Sequence, residues 1–278
     1  MGRVGNSRKI KQNTTKVVSE RLSTTNRYFS WILETTPVLD KPVLLVTHSM
    51  RVPRDFISTT LRARGYATHW VRPFLGQPLP APDPDAYAGA VFYGGPQLLS
   101  EIDKDPYLHD ELAWIRAFVD AGGRYLGLCL GGQLLSMAYG GDVYQREDGV
   151  REVGYYDLHP TQAGIASGYF SKSPMLVYHW HREGIRLPSG VDTLASSDYF
   201  PNQAFSISET ALGTQFHPEI TDAMIRLWSA HAPADRDKEP GTQPRETHLD
   251  GYVKHQATVQ QWAGSMLDRL GFEAQPQA

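Results

Sequence analysis

Cysteine is nearly absent from this chain of 278 residues, which contains Cys129 alone. A single cysteine cannot form an internal disulfide, so the chain cannot be a disulfide-stapled secreted domain. Long apolar runs are missing as well, and none approaches the roughly 18–20 residues that span a bilayer. The first residues contain no apolar core of the kind found in secretory signal peptides. These absences predict a cytoplasmic protein that has no membrane partner.

The formal net charge of −3 conceals an uneven distribution of charge. Residues 1–33 contain seven lysines and arginines but a single acid, Glu20, so the rest of the chain carries a net charge of −9. The basic start has three interpretations: a flexible arm or an extension from an upstream start codon, an organelle transit peptide, or a nucleic-acid-binding arm. Because the rest of the chain is acidic and has no basic stripe, we expect no nucleic-acid partner. We predict that residues 1–40 form a basic, flexible extension.

Strand patterns and helix patterns alternate in the first half of the chain. The continuous apolar run 42–49 predicts a strand that is buried on both faces. Residues 53–65 predict a helix that begins at Pro53 and ends at Gly65, and the five prolines in residues 73–84 predict a loop. The alternation predicts an α/β fold with a doubly wound, mostly parallel sheet and flanking helices. The other strand patterns are 66–73, 88–96 and 124–130, and the other helix patterns are 106–123 and 131–141.

After residue 141 the sequence changes to short strand-like pieces separated by turns, which predicts a small antiparallel extension together with the last core strands. Residues 235–246 have the composition of a linker. A final amphipathic helix follows, whose apolar residues are spaced by three and four: Val259, Trp262, Met266 and Leu270. We therefore predict one domain over residues 41–232. Residues 233–278 would supply a linker and a C-terminal helix that packs on the same domain.

Cys129 lies where a strand pattern meets a helix pattern. Gly127 precedes it by two residues and Gly131 follows it by two, which is the spacing of the G-x-S-x-G nucleophile elbow. Glycines at these positions let the strand and the helix approach closely, and a helix N-terminus favours the thiolate. The N–H of Leu130 would then point at an oxyanion formed on an attacked carbonyl. The alternative is a buried structural cysteine, but the flanking glycines and the helix start favour a nucleophile.

A catalytic cysteine needs a base, and the chain contains ten histidines. One of them, His217, lies at the end of the apolar strand pattern in residues 211–220. Pro218 would make the turn rigid and hold the imidazole at the strand end, and Glu219 could orient it, which would complete a Cys-His-Glu set with Cys129. The alternative for this segment is an ordinary surface turn.

Two motifs together resemble the class I, or triad-type, glutamine amidotransferases. They are G-L-C-L-G-G-Q (127–133) and Q-F-H-P-E (215–219), and the resemblance extends from about residue 42 to 231. F-Y-G-G-P (92–96) is similar to the glycine loop of that family. Residues 178–205 resemble stand-alone members that are similar to the amidotransferase part of GMP synthase. The resemblance implies a flavodoxin-like fold.

The resemblance also implies a mechanism and a set of roles. Cys129 would attack the side-chain amide of glutamine, releasing ammonia and forming a γ-glutamyl thioester that water then hydrolyses. His217 would transfer the proton, and Glu219 would position His217. The other implied positions are Gly95 and Leu130 as donors to the oxyanion, and Gly94, Gln133 and His181 as contacts of glutamine.

Two features depart from the pattern of the family or fall outside it. Arg182 and Glu183 stand where many relatives have a Gly-Asp turn, which leaves open how the amino-acid end of glutamine is recognised. The H-W-H segment (179–181) would place His179 and His181 on one strand face, where they could form a metal pair. Because the sequence indicates no third ligand, we predict no metal and no cofactor.

Motifs of nucleotide-dependent synthetases are missing, since the chain has neither G-x-x-x-x-G-K-[ST] nor S-G-G-x-D-S. We therefore expect no synthetase half in this chain. The first hypothesis is a glutamine amidotransferase that delivers ammonia to a synthetase or ligase subunit in trans. The second is a γ-glutamyl hydrolase that acts on another γ-glutamyl compound, and the third is a non-catalytic regulatory protein with the same fold.

Overall fold

The computed structural model describes residues 41–50, 54–233 and 235–274. The predicted extension at residues 1–40 and the predicted helix start at Pro53 lie outside the described residues.

Eleven strands and six α-helices lie in the described ranges, with three short 3₁₀ helices between them. The strands are β1 (Val43–Val46), β2 (Thr68–Val71), β3 (Gly89–Phe92), β4 (Tyr125–Leu128), β5 (Asp142–Gln145), β6 (Glu152–Pro160), β7 (Met175–His181), β8 (Glu183–Arg186), β9 (Thr193–Ser196), β10 (Ala204–Ser208) and β11 (Ala211–Thr214). The α-helices are α1 (Phe56–Ala63), α2 (Tyr107–Asp120), α3 (Leu130–Ala138), α4 (Gln162–Ala166), α5 (Asp222–His231) and α6 (Arg245–Arg269). The 3₁₀ helices are Pro73–Leu75, Leu99–Lys104 and Arg236–Lys238.

A nine-stranded sheet in the order β2-β1-β3-β4-β11-β10-β9-β6-β7 forms the centre of the fold, and β5 pairs with β8 in a second sheet. The first five strands of this order are parallel to their neighbours. The next four pair antiparallel, starting with β10 against β11. The predicted α/β class, with a parallel core and an antiparallel extension, is therefore confirmed.

The parallel core is buried on both faces, as the continuous apolar strand patterns predict. In β1, Val43 and Leu45 belong to one apolar cluster, whereas Leu44 and Val46 belong to the other. This alternation follows from the two-residue period of a strand. Helices α1 and α6 cover the first face, and α2 and α3 cover the second. The sheet is thus enclosed, and its parallel strands all end at one edge.

Helix α1 begins later than its sequence pattern indicates. The carboxylate of Asp55 accepts a hydrogen bond of 2.8 Å from the N–H of Ser58, which makes Asp55 the N-cap. The helix therefore starts three residues after Pro53. At its other end Gly65 has a φ of +92°, the left-handed conformation that terminates many helices and that glycine adopts without strain.

The segment predicted to be a linker is fastened to strand β6. The N–H of Arg151 donates to the carbonyl of Pro240 over 3.0 Å, and the N–H of Gln243 donates to the carbonyl of Val153 over 2.9 Å. These hydrogen bonds hold residues 235–244 beside the start of β6. Composition indicated a linker because Pro, Gly and charged residues predominate, but composition carries no information on such long-range pairing.

Helix α6 packs on the sheet through four buried apolar residues, Val259, Ala263, Met266 and Leu267, and the buried Leu270 follows directly after its end. They join the same cluster as β1 and α1, so this helix is part of the main core. At 25 residues α6 is the longest described helix. Neither α6 nor any other helix in the described part of the chain combines the length and the apolar character needed to cross a membrane.

We predict opposite stability effects for two glycine-to-alanine substitutions. A Cβ at Gly131 would lie 2.1 Å from the carbonyl oxygen of Phe92, so Gly131→Ala should lower the free energy of unfolding by about 3 kcal/mol. At Gly264 in α6 the nearest atom, on Arg64, is 3.9 Å away, so Gly264→Ala should raise it by about 0.5–1 kcal/mol. Urea unfolding of both variants measures this, and an unchanged stability of Gly131→Ala would contradict the close approach.

Candidate active site

Cys129 occupies a sharp turn between β4 and α3. Its φ of 51° and ψ of −104° make it the only non-glycine residue with a positive φ in the described ranges. The turn is this tight because β4 ends at Leu128 and α3 begins at Leu130. Hydrogen bonds hold it in place, from Cys129 N–H to the Thr214 carbonyl and from Gln133 N–H to the Cys129 carbonyl. The thiol is thereby fixed at the C-terminal edge of the parallel strands.

Glycines around Cys129 make this turn sterically feasible. A Cβ at Gly127 would lie 2.3 Å from the carbonyl oxygen of Gly131, and a Cβ at Gly132 would lie 2.5 Å from that of Thr214. Both obstacles are backbone atoms, which cannot rotate away as a flexible side chain could. The strand and the helix can therefore meet only where side chains are missing.

His217 reaches the same edge of the sheet because β11, which precedes it, is the parallel neighbour of β4. Its Nδ1 lies 2.8 Å from Oε1 of Glu219, and both side chains are buried. The position of a Cβ on Gly94 is 2.9 Å from Cε1 of His217 and 3.4 Å from Cβ of Cys129, so both side chains pack against Gly94. Nε2 of His217 has no hydrogen-bond partner among the described residues.

The surroundings of His217 favour its protonated form. Burial opposes the charge, but the negative charges of Glu219 and of Cys129 outweigh burial and raise the pKa of His217 to about 10. The ring of Trp228 packs edge-on against the imidazole, with 4.9 Å between the ring centroids. An imidazole with one nitrogen held by a carboxylate and the other beside a thiol can accept the thiol proton and return it.

Gln215 is a site residue that the motif analysis did not single out. Its side-chain amide donates to Sγ of Cys129 over 3.5 Å. Gln133 supports it by donating over 3.2 Å to the Gln215 side-chain oxygen, and also donates over 3.2 Å to the carbonyl of Glu183. The amide nitrogen of Gln133 thus makes two hydrogen bonds within the protein. The available signal was the position of Gln215, two residues before His217 at the end of an extended strand.

Gly95 and Leu130 present N–H groups on adjoining backbone segments. Leu130 is the first residue of α3, and the first N–H groups of a helix have no partner within it. Gly95 lies outside the strands, and its N–H donates to no other described residue. A Cβ on Gly95 would be 2.9 Å from the Leu130 side chain and 2.5 Å from that of His48. The two segments therefore pack directly against each other.

A buried ionisable pair lies behind this glycine loop. Nδ1 of His48 donates to the carbonyl of Tyr93 over 3.0 Å, and Nε2 of His48 lies 2.8 Å from Oε2 of Glu111. Neither residue was predicted from the sequence motifs. Glu111 could have been noticed because it falls in helical register with Leu108 and Ile115 on the buried face of α2, where a carboxylate needs a partner.

His181 lies in the site but is engaged on both sides of its ring. Its Nδ1 donates over 3.0 Å to the carbonyl of Glu183, and its Nε2 lies 2.9 Å from Oε2 of Glu152. His179, on the same face of β7, brings Nδ1 to 3.3 Å from both the Glu152 carboxylate and the His181 ring. Burial lowers the pKa of His179 to about 3 and keeps the ring neutral.

Glu152 supplies the third potential metal ligand that the sequence did not indicate, since the three ligand atoms lie within 4.8 Å of one another. The carboxylate also has protein partners at hydrogen-bond distance. Ser197 donates to Oε1 over 2.5 Å, and Gln203 donates to Oε2 over 2.6 Å. The carboxylate of this cluster is therefore held by hydrogen bonds from protein groups. The prediction that the chain binds no metal stays a prediction.

A cavity of about 240 Å³ opens beside Cys129. Three other residues that the sequence predicted for the site border it, namely Gly95, Gln133 and His181. Several further lining residues were not predicted, among them Trp180, Arg151 and Arg236. The cavity therefore combines the thiol, polar side chains and a group of arginines.

In both sequence and structure, the chain is similar to glutamine amidotransferases and related glutamine-hydrolysing enzymes. The sequence model of the family "Glutamine amidotransferase class-I" matches residues 56–224. The glutamine amidotransferase-like protein YfeJ of Salmonella typhimurium is 33% identical over 163 residues, which are 57% of this chain and 67% of YfeJ. GMP synthase [glutamine-hydrolyzing] of Listeria welshimeri is 35% identical over 136 residues, which are 48% of this chain but only 24% of that enzyme. A solved glutamine amidotransferase from Methylobacillus flagellatus aligns with a TM-score of 0.74 and 25% identity, covering 86% of this chain and 97% of that one.

An alanine variant is usually more stable than a glycine variant at the same position. The left-handed turn at Cys129 predicts the reverse order of stability. Both Cys129→Ala and Cys129→Gly remove the thiol, but only glycine adopts a φ of 51° without strain. We expect Cys129→Gly to be more stable than Cys129→Ala by about 1 kcal/mol in urea unfolding. A more stable alanine variant would contradict the strained turn.

The raised pKa of His217 predicts a pH-dependent contribution to stability. Folded His217 keeps its proton up to about pH 10, whereas in the unfolded chain it loses it near the ordinary value of 6.5. The contribution is therefore complete below pH 6.5 and is lost as the pH rises from 6.5 to 10. We expect Glu219→Gln to reduce this loss, as measured by urea unfolding at pH 6.5 and 9.5. An equal loss of stability in Glu219→Gln and in the unaltered protein would refute the coupling between Glu219 and His217.

Proposed function

The chain belongs to the class I glutamine amidotransferase family, and we propose that it hydrolyses the side-chain amide of L-glutamine through a thioester on Cys129. The observation that carries this proposal is the arrangement at the strand edge. Cys129 sits in a left-handed turn at the start of α3. His217, which pairs with Glu219, packs against Gly94, as Cys129 does. This combination matches the requirements of an activated nucleophile: a thiol, a base and a group that orients the base.

Before the first step, the proton of the Cys129 thiol is already on Nε2 of His217, as the raised pKa of this ring favours, while Glu219 holds Nδ1. The thiolate attacks the amide carbon of glutamine and forms a C–S bond, which places a negative charge on the carbonyl oxygen. The N–H groups of Leu130 and Gly95 donate to this oxyanion. The observation that supports this role is geometric: both N–H groups lack an acceptor among the described residues, and the two residues pack together.

In the second step, His217 returns its proton to the amide nitrogen, the C–N bond breaks and ammonia leaves. The γ-glutamyl group remains on Cys129 as a thioester. A water molecule then attacks the thioester while His217 takes its proton, and glutamate is released as the thiol re-forms. The net reaction converts glutamine and water into glutamate and ammonia.

We further propose that a synthetase or ligase subunit in trans receives the ammonia. The support is the similarity to glutamine-hydrolysing GMP synthase, of which the matched region covers about a quarter. An added synthetase partner should raise the glutaminase rate of this chain. A rate that is equal with and without any such partner would favour the γ-glutamyl hydrolase hypothesis instead.

The proposal predicts a graded loss of activity. Cys129→Ala should abolish ammonia release from glutamine and labelling by the diazoketone analogue of glutamine, because the nucleophile is gone. His217→Ala should lower kcat by about 10³-fold or more, and Glu219→Gln by about 10²- to 10⁴-fold. Coupled measurement of glutamate and ammonia checks these rates.

The control is His109→Ala, since His109 lies on the exposed side of α2 and its ring pairs with the exposed Asp103. It should retain the activity of the unaltered chain. Thermal unfolding shows whether each variant is folded. Activity like that of the unaltered chain in a folded Cys129→Ala protein would refute the assignment of the nucleophile.

A further inference from the structure

We propose that Arg151, Arg182 and Arg236 form a carboxylate-binding subsite in the cavity beside Cys129, which selects substrates through an α-carboxylate. This inference rests on the proposed function, and it narrows the substrate class to ω-amides that carry a carboxylate at the other end. It also answers the question raised by the Arg182-Glu183 pair, where the sequence departs from many relatives.

The three arginines come from separate elements that converge on the cavity. Arg151 directly precedes β6, and Arg182 joins β7 to β8. Arg236 belongs to the 3₁₀ helix of the C-terminal segment, which hydrogen bonds to β6 hold in place. All three line the same cavity as the thiol of Cys129.

Positive charge is in excess at this end of the cavity. Oε2 of Glu239 lies 2.9 Å from Arg151 and 2.6 Å from Arg236, so one carboxylate serves two guanidinium groups. Arg182 forms no ion pair with another described residue. The Nε atoms of Arg151 and Arg236 are buried and have no hydrogen-bond acceptor among the described residues. The two guanidinium groups therefore have hydrogen-bonding capacity that the described residues do not use.

Arg182 and Arg236 both repel the positive charge of Arg151. Burial lowers the pKa of Arg151, and Glu239 opposes this effect, but the nearby Arg236 and Arg182 lower the pKa further. A bound carboxylate would relieve this repulsion and accept hydrogen bonds in the forked geometry that arginine presents. The cluster thus has the electrostatic character of an anion site.

The cavity offers no comparable partner for an ammonium group. Its one acidic side chain among the described lining residues, Glu183, is already engaged at the start of a 3₁₀ helix. It accepts hydrogen bonds from the N–H of Leu99 at 2.9 Å and from the hydroxyl of Ser100 at 2.5 Å. The charges of the cavity therefore favour the carboxylate of a glutamyl substrate over its ammonium group.

A substrate comparison tests this preference. Glutaramate is glutamine without the α-ammonium group, and L-glutaminamide carries a carboxamide in place of the α-carboxylate. We expect removal of the carboxylate to lower kcat/KM at least about 10-fold more than removal of the ammonium group. The reverse order would overturn the subsite. A preference for γ-L-glutamylglycine over γ-L-glutamylmethylamide would overturn its assignment to the α-carboxylate, because the extra carboxylate then lies on the leaving amine.

Arginine variants separate charge recognition from support of the fold. Arg151→Gln, Arg236→Gln and Arg182→Gln should each lower kcat/KM for glutamine by about 10- to 100-fold and leave that for L-glutaminamide unchanged. Arg182→Gln is the variant expected to fold normally, since Arg182 is exposed and unpaired among the described residues. The matched control is Arg116→Gln on α2, where Arg116 is exposed and pairs with Asp120. An equal loss for both substrates would indicate a structural role and overturn the subsite.

Binding of glutaramate to the Cys129→Ala variant tests the subsite without any turnover, because this variant lacks the thiol. Calorimetry should detect glutaramate binding to Cys129→Ala and at least about 10-fold weaker binding when Arg151→Gln is added. If no amide is hydrolysed but this difference is seen, the subsite stands and the proposed function fails. If glutamine is hydrolysed without a carboxylate preference, the proposed function stands and the subsite fails. No detectable binding of glutaramate together with no carboxylate preference in turnover would also overturn the subsite.

Discussion

The close approach of strand β4 to helix α3 is the constraint on which the candidate site depends. Backbone atoms of Gly131 lie where a side chain on Gly127 would begin, so the chain can turn only at glycine positions. The turn forces Cys129 into a left-handed conformation and leaves the first N–H groups of α3 without helical partners. The same geometry therefore exposes the thiol to the cavity and places backbone donors beside it. Ladder hydrogen bonds between β4 and β11 hold the strained residue in place.

Buried carboxylates around the site each have a dedicated partner. Glu219 pairs with His217, Glu111 pairs with His48, and Glu152 pairs with His181. Isolated buried charges are unstable, so each of these pairs fixes the position of a ring that would otherwise rotate. One consequence is that the imidazole of His217 is held rigidly near the thiol. Another is that the arginines of the cavity wall carry the charge that remains available to a substrate.

Sequence patterns predicted the local elements well because each depends on neighbouring residues. The parallel core strands, the turn at Cys129 and the resemblance to class I glutamine amidotransferases were all inferred from short segments, and the fold and the family are confirmed. The patterns failed where a contact joins distant residues. Gln215 donates to Cys129 across 86 positions of sequence, and Glu152 meets His181 across 29. No local spacing marks such a pair.

The sequence by itself determined where the chain must turn and which residue types stand at the turns. Glycine spacing around Cys129 and the His217-Pro218-Glu219 segment suffice for this, because steric exclusion and backbone conformation act over a few residues. Only the tertiary structure decided which side chains share a cavity. Arg236 lies in a segment with the composition of a linker, and hydrogen bonds to β6 bring it beside the thiol. Long-range packing of this kind leaves no periodic pattern in the sequence. The positive charge of the cavity wall could therefore be recognised only from the folded chain.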